Sequence, residues 1–95
     1  MQNYTKQEIQ NLTAFDIQSL NSILISSFTI QQIGYLLPKQ ITYFTTNQIP
    51  YFTLKQIVSF STEQLKMFNI EQIKSLTPRQ VNHLSQSQRK ILKIF

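Results

Sequence analysis

At 95 residues, 41% of them apolar and with seven Phe and four Tyr, the chain is too hydrophobic for ordinary disorder and has the size of one small domain. It contains no Cys, which excludes disulfides and thiolate metal sites, and none of its apolar runs approaches the roughly 18 to 20 residues of a membrane span. The net charge of +5 is uneven: Lys6, Glu8 and Asp16 give −1 up to Leu36, and from Leu37 onward eight Lys and Arg against Glu63 and Glu71 give +6.

The first four residues form a lead-in, and MQNYTKQEIQ lacks the basic-then-apolar pattern of a secretory signal. The expected location is therefore a cytoplasm, or export without a classical signal. From Thr5 the chain reads in eights. The opening positions of eleven octads, residues 5–92, are Thr5, Thr13, Asn21, Thr29, Leu37, Thr45, Thr53, Ser61, Asn69, Thr77 and Ser85. The fourth position is Glu8, Asp16, Leu24 and then Gln from Gln32 to Gln88. The fifth is Ile, Leu or Val from Ile9 to Val81 and then Arg89, and the eighth is Leu or Phe throughout. Such short-period self-similarity marks a repeat architecture.

Each position has a physical reading. Thr, Ser or Asn followed three residues later by Gln or Glu is a capping box, whose two side chains satisfy orphan backbone donors at a helix start. A new helix start every eight residues must end the helix before it, which predicts about five or six helical residues per unit, some of them 3₁₀. Pro38 and Pro78 directly follow the cap, where a first-turn proline is welcome; Pro50 and Gly34 share a later position, near the helix end. One continuous helix is excluded, because a period of eight rotates the apolar stripe by roughly 80° per unit. The expected fold is all-α: a solenoid or superhelix of very short capped helices, one per octad, each burying its Ile and its Leu or Phe against its neighbours.

Octads two and three add Phe15, Ile23 and Leu24 outside the usual apolar positions, and these are expected to bury a wider face. At the other end Arg89 replaces the core aliphatic, and residues 93–95 form a basic, apolar tail.

Chemistry is sparse. Asp16 and His83 stand some eight octads apart, too far for a nucleophile triad unless the array folds back on itself. Glu63 and Glu71 share a position in adjacent octads, but between Lys66 and Lys74 they read as a solvated face. A single Gly rules out a phosphate-cradling loop. The chain reads as not an enzyme, with no cofactor and no metal. Tyr35, Tyr43 and Tyr51 fill one position in three consecutive octads, so stacked octads are expected to lay them out as an aromatic ladder. With Lys39 and Lys55 close by, they are the candidate partner-binding face. A second reading uses the basic half: Lys66, Lys74, Arg79, Arg89 and Lys90, with Lys39 and Lys55, as phosphate contacts of a nucleic-acid-binding array.

The units from Thr29 to Leu84 resemble the LTxxQIxxL-type repeats of large bacterial surface or secreted proteins. The resemblance implies a bacterial repeat protein, a module of a larger chain that is secreted or acts as a host-directed effector. Leu76-Thr77-Pro78-Arg79-Gln80-Val81 is also similar to the LTPxQV helix opening of TAL-effector DNA-binding repeats. That family has a longer period and reads bases from a loop between two longer helices, so no base-reading residue carries over. The function expected from these readings is a structural spacer or protein-interaction scaffold, with nucleic-acid binding as the alternative.

Overall fold

Helix starts in the computed structural model, which describes residues 3–94, stand where the caps stand in the sequence, except in the sixth octad, where a turn follows Thr45 and helix begins only at Ile49. The elements are α1 (Lys6–Gln10), α2 (Ala14–Gln18), α3 (Ser22–Ser26), α4 (Ile30–Tyr35), α5 (Pro38–Ile41), a 3₁₀ turn (Ile49–Tyr51), α6 (Leu54–Ser59), α7 (Thr62–Leu65), α8 (Ile70–Lys74), α9 (Pro78–His83) and α10 (Gln86–Leu92). The described residues are thus all-helical, and no strand is present among them. Met1, Gln2 and Phe95 lie outside the described residues, so the lead-in (1–4) and the tail (93–95) are each seen only in part.

Capping chemistry sets these boundaries. In α6 the Thr53 hydroxyl accepts from the Gln56 backbone N–H at 3.1 Å, and Gln56 Oε1 accepts from the Thr53 N–H at 2.8 Å. Reciprocal boxes of this kind open α1, α2, α4, α6, α7, α8, α9 and α10. In α3 only the Asn21 half forms, because Leu24 has nothing to return. In α5 Leu37 offers no side-chain acceptor, so the Gln40 N–H donates to the Leu37 carbonyl at 2.9 Å, Pro38 suits the first helical position, and Gln40 Oε1 still accepts from the Leu37 N–H at 2.8 Å. Two consecutive extended residues then stop one helix and start the next, as at Phe60 (ψ 136°) and Ser61 (ψ 166°). Pro50 removes an N–H donor from its octad, which accordingly closes as a 3₁₀ turn.

The core is one cluster of fifth- and eighth-position residues running from Ile9 to Leu92. Each fully buried Ile or Phe contributes roughly 1.5–3 kcal/mol, far more than a helix of five residues can supply from its own backbone bonds. Phe44, Phe52, Phe60 and Phe68 line the interior as consecutive edge-to-face pairs with centroids 5.1, 5.2 and 5.7 Å apart. Helix packs on helix at a separation of three octads: α1 on α4, α3 on the 3₁₀ turn, α4 on α6, α5 on α7, α6 on α9 and α7 on α10. The radius of gyration, 12.3 Å, matches the roughly 12 Å of a compact chain this long, and the extents are 36 × 22 × 21 Å.

The wider face expected in octads two and three is not buried. Phe15 and Ile23 are 78% and 75% exposed, and Leu24 is exposed beside them. Phe15 and Ile23 take the third position, which points outward and is exposed in every octad, and Leu24 takes the fourth position before any glutamine clamp begins.

Candidate functional site

The buried glutamines decide which surfaces are internal and which remain free. Gln40 Nε2 donates to the carbonyls of Ile9 (2.8 Å) and Leu12 (3.0 Å), 31 and 28 residues earlier. The same double bond joins Gln48 to Ile17 and Leu20, Gln56 to Ile25 and Phe28, and Gln64 to Ile33 and Leu36. Gln72 holds Ile41 and Phe44 in this way, and Gln80 holds Ile49 and Phe52. Each amide therefore caps its own helix with its oxygen and clamps the end of an earlier helix with its nitrogen. These side chains are buried without an unsatisfied atom, which is the condition for polar burial at low cost.

The clamp gives every octad two distinct faces. The fourth-position side chain reaches back to earlier octads, and the fifth-position aliphatic is covered by later ones. At the N-terminal end the described residues place no earlier octad beneath the fourth position, and the residues there are Glu8, Asp16 and Leu24, all exposed. Glu8 Oε1 and Asp16 Oδ2 only cap their own helices, at 2.9 Å. At the C-terminal end the fifth position loses its cover. Ile9 through Leu65 are buried there, whereas Ile73, Val81 and Arg89 are half-buried.

The candidate partner-binding residues are dispersed on this frame. Tyr35 and Tyr43 are half-buried and pack against the core, and Tyr51 is exposed on the 3₁₀ turn. Among the described residues no ring contact joins the three; the ring ladder runs through the interior phenylalanines instead. Lys39 on α5 and Lys55 on α6 are exposed.

Of the basic residues, Lys66 and Lys74 line a groove of about 1060 Å³ at the C-terminal end, together with Lys93 and Glu71. Its apolar wall includes Phe68, Ile70, Ile73 and Ile91. Arg89 and Lys90 border a smaller recess with Gln86 and Ile94, and Arg79 is exposed on α9. The sequence points to Lys66 and Lys74 but not to Lys93 or the groove, because its apolar residues lie on octads that converge only through the packing.

No helix among the described residues is long and apolar enough to cross a membrane. Comparison with protein-family models, with curated proteins and with solved structures gave no match to this chain.

Proposed function

We propose that this chain is a non-enzymatic octapeptide-repeat module, wound as a solenoid, that serves as a structural spacer or protein-interaction scaffold within a larger protein. The observation that carries the reading is the repeated glutamine clamp. Its bonds return to the same two positions, 28 and 31 residues back, in six successive octads. The clamp reaches the fourth octad back while helices pack on the third, so one turn takes between three and four octads. Eleven octads then make about three turns, and at roughly 9 Å between packed helices these account for most of the 36 Å long axis. Buried polar side chains here are committed to holding backbone, which suits a framework. Partner contacts in this reading fall on outward residues such as Tyr51, Lys39 and Lys55, with Tyr35 and Tyr43 at the core edge.

An insertion tests the spacer role. Adding seven octads, copied from residues 29–84, inserts about two turns. Small-angle scattering is expected to show the maximum dimension growing by about 18 Å at constant cross-section. Growth in width, or loss of the folded state, would remove the reading.

The second reading, nucleic-acid binding, is favoured by Lys66, Lys74 and Lys93 gathering on one groove. Anisotropy titrations with labelled single- and double-stranded oligonucleotides separate the two. A scaffold gives no binding at low or physiological salt, whereas affinity that falls steeply with salt places the lysines on phosphates.

A further inference from the structure

We propose that the row formed by α4, α6 and α9 is a docking face for an acidic, extended segment of another protein, one in which an aliphatic residue and a carboxylate recur every three residues. The proposal rests on the scaffold reading and names the partner class that reading leaves open.

Packing at a separation of three octads sets α4 against α6 and α6 against α9. Each of these helices opens on an apolar residue followed by a polar one: Ile30-Gln31, Leu54-Lys55 and Pro78-Arg79. These are the second and third positions of their octads. The third is exposed in every octad, Ile30 and Pro78 are exposed, and Leu54 is half-buried. The row thus carries an apolar ridge beside a polar one that turns cationic at Lys55 and Arg79. Its three octads, residues 29–36, 53–60 and 77–84, contain no Asp or Glu. Glu63 and Glu71, the acids at the third position, stand on α7 and α8, outside the row.

Charge and spacing select the occupant. Two cations on a row without carboxylates favour an acidic partner, and a bare phosphate chain has nothing to bury against Ile30, Leu54 and Pro78. A second copy does not fit, because two such rows face to face would set like charges together. Packed helices lie about 9 Å apart. A polyproline II segment has three residues per turn at about 3.1 Å each, close to the same distance, so equivalent side chains meet successive helices of the row from one face. An α-helix covers that distance in about six residues, which swings its side chains roughly 240° out of line. A β-strand needs an edge to pair with, and no strand is present among the described residues. Polyproline II asks for no backbone partner.

The test uses the full ¹⁵N-labelled chain and a synthetic peptide reading PLEPLEPLEPLE. The peptide PLQPLQPLQPLQ is the uncharged control, and a shuffled peptide of the first composition is the register control. Amide shifts of Ile30, Gln31, Leu54, Lys55 and Arg79 are expected to move and saturate with the first peptide, with at least tenfold weaker binding for either control. Lys55→Glu and Ile30→Ser, both at exposed positions, are each expected to weaken binding at least tenfold while leaving the rest of the spectrum in place. Equal binding of the shuffled peptide, shifts mapping elsewhere, or no shift at millimolar peptide overturns the proposal. An oligothymidylate that moves the same amides and displaces the peptide overturns it in favour of phosphate. Absence of peptide binding on an array that still lengthens with inserted octads removes this proposal alone and leaves the scaffold reading in place.

Discussion

Gln56 donates from its side-chain amide to the backbone carbonyl of Ile25, 31 residues earlier, at 2.9 Å. The amide oxygen of the same side chain caps Thr53 at 2.8 Å, and a second donated bond reaches Phe28 at 2.8 Å. One residue thereby fixes a local helix start and a long-range packing register together. Substitution by glutamate keeps the cap, deletes both donors and sets a buried negative charge against two carbonyl oxygens. Gln56→Glu is expected to lower unfolding free energy by about 3 kcal/mol or more. Glu8→Gln, at an exposed position with no earlier octad to reach, is expected to lie within about 0.5 kcal/mol of the native chain. Urea denaturation followed by circular dichroism checks both. Equal effects at the two sites would mean that the long-range bonds carry no net stability.

Caps and core separate by magnitude in a single octad. Thr53→Ala removes one side-chain acceptor and is expected to cost about 1 kcal/mol. Ile57→Ala opens a cavity at a fully buried site and is expected to cost about 2–5 kcal/mol. The same denaturation series measures both, and an inverted order would contradict the assignment of the two positions.

Gly34 lies inside α4, and a Cβ built on it meets nothing within 4 Å. Its φ is not positive, so alanine fits without strain. Gly34→Ala is therefore expected to stabilise by about 0.5–1 kcal/mol through lost freedom of the unfolded chain, read as a rise in thermal midpoint. A fall in midpoint would show that α4 depends on that freedom.

Replacing Glu8, Asp16 and Leu24 together by glutamine gives the N-terminal end three amides in three successive octads. At the opposite end, among the described residues, no side chain donates to the carbonyl pairs of three successive octads, Leu65/Phe68, Ile73/Leu76 and Val81/Leu84. The triple variant is expected to associate head to tail at least tenfold more tightly than the native chain in sedimentation velocity experiments, with mass rising with concentration. Unchanged association would mean that acids at these positions do not close that end.

Much of this was written in the sequence in legible chemistry. Thr53 with Gln56 reads as a capping box because capping is local, and Pro38 and Pro78 mark helix starts for the same reason. The second task of the glutamines went unread, although a signal was present. A capping box accepts Glu as readily as Gln, yet Glu8 and Asp16 give way to Gln alone from Gln32 to Gln88. The need is for an N–H donor, and it arises only once an earlier turn lies within reach. The burial of Phe15 and Ile23 was misjudged for a physical reason. Where an outward side chain points depends on the angle between successive octads, which no local pattern encodes.

The reach of the clamp one octad beyond the packed helix has a consequence for growth of the chain by duplication. Since each helix packs on the third octad back and its glutamine clamps the fourth, each unit is tied across the junction of two earlier units, as bricks are in staggered courses. A wall so laid has no vertical joint along which to part. It also accepts one brick more or fewer without recutting the rest, because each contact depends on separation along the chain and not on position within it. In-frame gain or loss of a single octad, 24 nucleotides of coding sequence, leaves every interior contact type intact and turns only the exposed end to a new heading.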